Sequence, residues 1–291
     1  MPSDADFLGL VPGDEPGRFR FIVEDRLARI DHKLYGGTAI AVSVATAEAV
    51  SQRTALWMTT QFVSTVAEGT TVDVLAEVLA PGKRTNQVRV TGTAPDGQVV
   101  FASLGATGHH RDGGLAGEFK RCPTVAPPDA AEPWDSPFTG MARIAGIAAA
   151  PPMRFDTGFN AVIELREPEV LEHPDPGPGR LCLWIRRKDR VPVTAALAAF
   201  LADMVPMAVG MACGVVAGGT SLDNSIRIGD FRPGEWVLLD LRPHLAVGDY
   251  GHGAAHLWSE DGHLLATASQ TASMIRFDLS ALPGWASATT T

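Results

Sequence analysis

Apolar residues follow two different periods along the chain, and the change of period divides its first part into elements. Small apolar residues between 38 and 51 recur at helical spacing and predict a helix over that range. From 54 to 107 apolar and polar residues alternate, with turn residues at Pro81-Gly82 and Asp96-Gly97. This part of the chain therefore predicts one helix followed by an antiparallel meander.

The second part repeats the same order of elements. Strand signals at 160–165 and 181–187 precede an apolar helix predicted over 193–211, and alternating segments with turns follow as far as Phe277. An offset of 165 residues superposes the turn residues Gly69 on Gly234, Asp96 on Asp261 and Gly97 on Gly262. We interpret this as a duplicated α+β unit. The alternative is two unrelated α+β halves that both use Asp-Gly turns.

In such a unit the sheet curls around the helix and buries the apolar face of the helix. Each sheet alone would leave an unpaired strand, so we expect the two sheets to pair edge to edge with pseudo-twofold symmetry. Residues 109–153 have no periodicity and are rich in Gly, Pro, Asp and Ala, which is typical of a linker. The predicted domains are therefore 1–108, a linker over 109–153, 154–280, and a tail over 281–291.

Length and charge narrow the possible functions. A chain of 291 residues is long enough for two domains, and 45% hydrophobic residues indicate a folded protein. The net charge of −9 has the wrong sign for a broad nucleic-acid-binding face, so no nucleic-acid partner is expected. The N-terminus lacks a basic region followed by an apolar core, which predicts a cytoplasmic protein.

Several common kinds of site lack their sequence pattern. The three cysteines are far apart without CxxC, and the eight histidines form no HExxH, so neither a metal site nor a disulfide framework is predicted. There is no GxSxG, GxGxxG or GxxxxGK[ST] motif. Residues 195–217 are long enough to span a membrane, but Asp203 and Pro206 near their middle favour a buried helix of a soluble protein.

Asp203 is the strongest candidate for chemistry. It is the only charged residue between Val193 and Leu222, and a buried carboxylate needs partners. Pro206 cannot donate to Ala202, so the helix should kink or open beside the carboxylate. The alternative is that Asp203 lies near a frayed helix end and meets water.

The duplication points to two further polar residues of the second half. The offset superposes Asp203 on Thr38, Ser221 on Leu56 and Gln270 on Gly105, so only the second half carries a carboxylate, a hydroxyl and an amide at these positions. Alone, a Ser after a glycine turn or a Gln in a strand is ordinary. Together with Asp203 they could bind one water, with the carboxylate as base.

The sequence resembles the acyl-CoA thioesterase II type of double-hotdog proteins. The resemblance is carried by SLDNSIRIGDFRPGEWVLLD at 221–240, GHGAAHLWSEDGHLLATASQTASMIR at 251–276, LCLWIRRKDRVP at 181–192 and the helix start at Tyr35-Gly36-Gly37. It covers about residues 30–280. It implies a double hotdog, two tandem repeats each with a long central helix wrapped by an antiparallel sheet, and a homodimer or larger assembly.

The resemblance also implies an activity and residue roles. Asp203, Ser221 and Gln270 would hold the hydrolytic water, and backbone N–H groups near Gly36 and Gly37 would bind the thioester carbonyl of an acyl-CoA substrate. No metal or organic cofactor is implied, and the family connects the protein to fatty acid metabolism.

This chain departs from the family pattern beside those residues. Asn224 stands where the family often has His, and Thr271 where it usually has Glu. A non-catalytic acyl-CoA- or lipid-binding protein of the same fold is therefore an alternative. A hydratase or dehydratase is disfavoured because neither central helix carries a His. Met204, Met207 and Met211 could line an acyl tunnel or simply lie in the core.

Overall fold

The fold is built on one large antiparallel sheet. The computed structural model describes residues 3–134, 157–232 and 234–277. The first half contains helices α1 (Asp4–Leu8) and α2 (Gly36–Ser51), with strands β1 (Val11–Pro12), β2 (Arg18–Ile22), β3 (Thr54–Phe62), β4 (Thr71–Ala80), β5 (Thr85–Thr93) and β6 (Val99–Gly108).

The second half continues the same sheet. Its elements are β7 (Thr124–Val125), β8 (Glu132–Pro133), β9 (Ile163–Glu167), β10 (Val170–Glu172), β11 (Leu181–Arg187), α3 (Ala195–Leu201), α4 (Val205–Ala212), β12 (Ala217–Ile228), β13 (Val237–Val247), β14 (Tyr250–Ser259) and β15 (Leu264–Arg276). Short 3₁₀ helices lie at Asp25–Leu27, Pro128–Ala130 and Gly158–Ala161.

The order of strands is nearly symmetric about the centre of the sheet. It runs β1-β2-β4-β5-β6-β3-β12-β15-β14-β13-β11-β9-β8, so β3 and β12 meet where the two halves join. At this joint the hydroxyls of Thr59 and Ser225 are 2.7 Å apart and share a hydrogen bond. The expectation that the two sheets pair edge to edge is confirmed.

Helix α2 is buried against the first half of the sheet. It begins at Gly36, two residues before the predicted start, and ends before Gln52, which has a left-handed φ of 54°. The small residues Ala39, Ala41 and Ala47 are almost completely buried, which lets the helix approach the strands closely. The helix contacts β3, β4, β5 and β6, and it also packs against α3 of the second half.

The second-half helix is interrupted, which corrects the expectation of one helix over 193–211. Helix α3 ends at Leu201 and α4 begins at Val205, with Asp203 in the break. Pro206 is the second residue of α4, and because it has no N–H it cannot continue the helical ladder from Ala202. The predicted opening of the ladder beside Asp203 is therefore observed.

The apolar segment containing this break lies inside the protein. The window Ala195–Ala212 is long and apolar enough to cross a membrane, but 83% of it is buried in the fold. Helix α3 starts at the cap residue Thr194, whose hydroxyl accepts a hydrogen bond of 3.0 Å from the Leu197 N–H. The sequence expectation of a core helix agrees with this burial.

Part of the segment predicted as a linker forms strands. Within 109–153, β7 pairs with β10 in a small separate sheet, and β8 pairs with β9 at the edge of the large sheet. Residues 135–153 and the predicted tail over 281–291 lie outside the described residues.

Candidate active site

The break between α3 and α4 places Asp203 against the N-terminus of α2. Asp203 is only 8% exposed. A Cβ added at Gly36 would lie 2.3 Å from Asp203 Oδ2, so the absence of a side chain there lets the carboxylate reach the helix start. The Gly37 N–H donates a hydrogen bond to the carboxylate. The two glycines expected to bind substrate therefore adjoin the candidate base.

The other carboxylate oxygen is held by side chains of the second half. Asp203 Oδ1 accepts hydrogen bonds from Ser221 Oγ at 3.2 Å, from Asn224 Nδ2 at 3.4 Å, and from Gln270 Nε2. The three residues singled out in the sequence thus come together in space. Asn224, noted there only as a departure from the family pattern, is a fourth member of the cluster.

Gln270 links the cluster internally. Its Nε2 also donates to Ser221 Oγ at 2.7 Å, and its Oε1 accepts from the Val205 N–H at 3.2 Å. Because Val205 starts α4, this contact ties the strand residue to the helix break. Gln270 is only 2% exposed, so it makes these hydrogen bonds from a buried position.

A bulge in β12 explains why both Ser221 and Asn224 reach Asp203. Residues three apart on a regular strand face opposite sides of a sheet. The pairing of β12 with β15 shifts register between Ser221 and Asp223, which turns Ser221 to the side of Asn224. Asn224 lies directly opposite Gln270 in that pairing, so the two amides approach the carboxylate together.

Burial changes the acidity of the carboxyl group. Desolvation raises the pKa of Asp203 from 3.8 to about 7, although hydrogen bonds from Asn224, Ser221 and Gly37 and the charge of Arg29 act in the opposite direction. A carboxyl group with a pKa near neutrality can accept and return a proton at physiological pH. This is the property expected of a general base in hydrolysis.

Asp203 and Ser221 open into a largely apolar cavity of about 480 Å³ between the two halves. Both halves contribute apolar residues to its wall, which includes Leu34, Tyr35, Phe62, Val100, Phe101, Phe159, Met204, Met207, Leu222 and Phe277. Met204 and Met207 thus line the cavity, whereas Met211 is a buried core residue. A cavity of this kind suits an apolar group whose reactive end lies at Asp203.

Tyr35 also lines this cavity. In the sequence it was noted only as part of the helix start Tyr35-Gly36-Gly37. Its hydroxyl donates to the backbone carbonyl of Asp203 at 3.3 Å. Its ring is 3% exposed, and burial together with the Asp203 charge raises the pKa of the phenol well above its ordinary value. The sequence feature that could have indicated a role for Tyr35 at the site is its position directly before Gly36-Gly37.

Comparison with known protein families gives matches to both halves. Residues 23–107 match the N-terminal domain of acyl-CoA thioesterase, and residues 124–274 match its C-terminal domain. No curated protein sequence matches the chain.

Solved structures agree over nearly the whole length. The chain is 33% identical to a protein from Novosphingobium aromaticivorans assigned as a thioesterase, with a TM-score of 0.76 over 91% of this chain and 97% of the other. A hotdog-fold protein of unknown function from Alicyclobacillus acidocaldarius is 19% identical, with a TM-score of 0.72 and coverage of 94% and 98%. An acyl-CoA thioesterase II from Mycobacterium marinum is 16% identical, with a TM-score of 0.70 and coverage of 96% and 100%. The last two show the fold alone.

The family matches and the 33% identical structure lead to the same assignment. This chain belongs to the acyl-CoA thioesterase family, has a hotdog fold and is a thioester hydrolase.

Proposed function

We propose that the protein hydrolyses an acyl-CoA to the free acid and CoA by means of a water molecule held at Asp203. The observation that carries this proposal is the buried carboxylate at the start of α2, with Ser221 and Gln270 bonded to it, at the wall of an apolar cavity. The family match supports the acyl-CoA substrate. The cavity would hold the acyl group.

The hydrogen bonds suggest which carboxylate oxygen acts as the base. Oδ1 already accepts three side-chain donors, so Oδ2 is the oxygen that would take a proton from water. Ser221 Oγ accepts from Gln270 and donates to Asp203, which leaves a lone pair for a water proton. In this account Ser221 touches the water, and Gln270 positions both Asp203 and Ser221.

The reaction then follows with atoms and charges balanced. Asp203 removes a proton from water as the oxygen forms a bond to the thioester carbon, giving a tetrahedral oxyanion. When the C–S bond breaks, the proton on Asp203 passes to the CoA sulfur, which restores the carboxylate. No cofactor takes part in these steps.

The start of α2 supplies donors for the carbonyl oxygen. The N–H groups of Gly36 and Gly37 lie at a helix N-terminus, where the dipole favours negative charge. Because Gly37 N–H donates to Asp203 in this structure, we propose that the substrate oxygen takes over that donor on binding. Such fixed donors contribute on the order of 2.7–4 kcal/mol each to transition-state stabilisation.

We also propose that the chain consists of two tandem hotdog repeats. The near-symmetric strand order supports a double hotdog made of two repeats, over 1–108 and 154–280, with 109–153 joining them. We further propose a cytoplasmic protein of fatty acid metabolism that acts as a homodimer or larger homo-oligomer.

Release of free thiol from short-, medium- and long-chain acyl-CoAs tests the proposed activity. The proposal expects steady turnover on at least one chain-length class. Binding of acyl-CoA, detected as a shift in unfolding temperature, without thiol release from any of them would instead identify a binding protein.

A further inference from the structure

Three aromatic rings surround the end of the cavity where the reaction would occur. Tyr35 precedes the helix start, and a Cβ added at Gly37 would lie 2.4 Å from its ring, so the ring covers the first turn of α2. Phe62 approaches from β3, since a Cβ added at Gly36 would lie 3.1 Å from its Cζ. Phe159 stacks on Tyr35 with ring centroids 3.9 Å apart and ring planes 8° from parallel.

Phe159 is held in place by the backbone on either side of it. The Gly158 N–H donates to Asp25 Oδ1 at 2.9 Å, and the Phe159 N–H donates to the Ala28 carbonyl at 2.7 Å. Gly158 has a φ of 67°, and a Cβ there would lie 2.8 Å from the Ala28 oxygen. These contacts fasten the 3₁₀ helix Gly158–Ala161 of the second half to the 3₁₀ helix Asp25–Leu27 of the first.

These backbone contacts fix the position of Phe159, so its ring forms a rigid part of the cavity wall. Phe159 also packs edge-on against Phe200, with ring centroids 6.4 Å apart. With the thioester carbonyl at the start of α2, as proposed above, the first carbons of the acyl group would lie beside this ring. Bulk attached to those carbons would have to displace Phe159 or Tyr35, and displacing Tyr35 would break its contact with Asp203.

We propose that the Tyr35–Phe159 pair selects acyl groups that are unbranched next to the thioester, with Phe159 as the residue that sets this limit. The proposal rests on the acyl-CoA thioesterase function proposed above. The substrate class is therefore acyl-CoA with an unsubstituted α carbon. Phe159 acts by direct contact with the acyl group.

The test compares two isomeric substrates, pentanoyl-CoA and 2-methylbutanoyl-CoA, in the full-length protein. They have the same atoms and differ in a methyl group on the α carbon. We measure kcat/KM for each and take the straight-to-branched ratio, which does not depend on the fraction of folded enzyme. The wild type should favour the straight isomer by about tenfold or more, the range expected for one methyl group in a fitted pocket.

Phe159→Ala should reduce this ratio by about tenfold, mainly by raising kcat/KM for the branched isomer. Phe159→Leu, which retains more of the packing, should give an intermediate ratio. Phe231→Ala, which truncates a half-buried phenylalanine packed on the core outside the cavity, should leave the ratio unchanged.

Two results overturn the selection proposal while leaving the thioesterase function intact. One is a wild type that hydrolyses both isomers equally well, and the other is an unchanged ratio in Phe159→Ala. Absence of turnover on either isomer and on the whole chain-length panel would overturn both proposals.

Discussion

Gly36 and Asp203 lie in contact where the two halves meet, and no side chain would fit between them. A Cβ at Gly36 would lie 2.3 Å from Asp203 Oδ2. The carboxylate can therefore reach the N-terminus of α2 only because residue 36 is glycine. This contact connects the first-half helix to the buried carboxylate of the second half.

Gly36→Ala should lower activity by more than its effect on stability explains. The methyl group displaces Oδ2, and a small displacement of a reacting group costs about 100-fold in rate. The loss of stability should be smaller than for a clash with backbone, because the added Cβ meets the ends of the Asp203 and Phe62 side chains, which can move. Measurement of kcat/KM and of the unfolding temperature on one preparation checks both statements.

Gly37→Ala provides the contrasting control. A Cβ there would lie 2.3 Å from the backbone oxygen of Phe200 and 2.4 Å from the Tyr35 ring, so packing itself must change. This variant should lose stability as well as activity. Equal, near wild-type activity in both variants would contradict the assigned role of the helix start.

The pH dependence of the reaction should follow the ionisation of Asp203. Burial raises the pKa of Asp203 to about 7, and a general base acts only when it is unprotonated. We expect kcat/KM to rise about tenfold per pH unit below 7 and to level off above it. Asn224→Leu removes a donor that stabilises the carboxylate and should move this transition to higher pH. A wild-type profile that is flat across neutral pH is incompatible with this base.

The same ionisation should make the wild type less stable at high pH than an amide variant. The folded-state pKa of Asp203, about 7, exceeds the ordinary value of 3.8, so the folded protein retains a proton that the unfolded chain releases. Stability is thus lost as pH rises from about 4 to about 7, and the loss is complete above 7. Asp203→Asn should raise the unfolding temperature by a few degrees at about pH 8, with a smaller gain at about pH 5. Equal gains at both pH values would argue against a raised pKa.

Gln270 and Ser221 should behave as a unit when both are replaced. Gln270 Nε2 donates to Ser221 Oγ at 2.7 Å, and both donate to Asp203 Oδ1. Each of Gln270→Leu and Ser221→Ala should lower kcat by about 10–100-fold, and the double variant should lose much less than the product of the two. Strictly multiplicative losses would show that the two residues act independently.

A buried ion pair on β13 predicts a loss of stability unrelated to catalysis. Asp240 is fully buried and accepts from Arg242 Nε at 2.8 Å and Nη2 at 2.6 Å. Arg242→Met leaves that carboxylate without its main partner and should cost about 3–5 kcal/mol, measured by denaturant unfolding. The double variant Arg242→Met/Asp240→Leu should recover much of this loss. The specific activity of the folded fraction should not change.

The sequence predicted the strands of the two meanders because alternation and turn residues are local patterns. Alternating residues, Asp-Gly turns and the 165-residue offset anticipated two similar meanders joined edge to edge, as the strand order confirms. Pro206 anticipated the break at Asp203, because a missing N–H acts within one helical turn. The sequence did not predict that the interruption is long enough to leave α3 and α4 as separate helices.

The parts of the site that escaped sequence analysis depend on contacts between distant residues. Asn224 shares a face with Ser221 only because of the bulge between Ser221 and Asp223, and no alternation pattern reveals a bulge. Phe159 lies in the 3₁₀ helix that precedes β9, and its place in the cavity follows from backbone contacts of Gly158 and Phe159 with Asp25 and Ala28. Such contacts leave no periodic signal in the sequence.

Thiol release from acyl-CoA by the wild type and by Asp203→Asn, at equal concentrations of folded protein, tests most directly whether Asp203 is the catalytic base. Turnover by the variant should be lower by at least about 100-fold, which is the contribution of a positioned base. Turnover by Asp203→Asn close to that of the wild type would show that Asp203 is not the catalytic base.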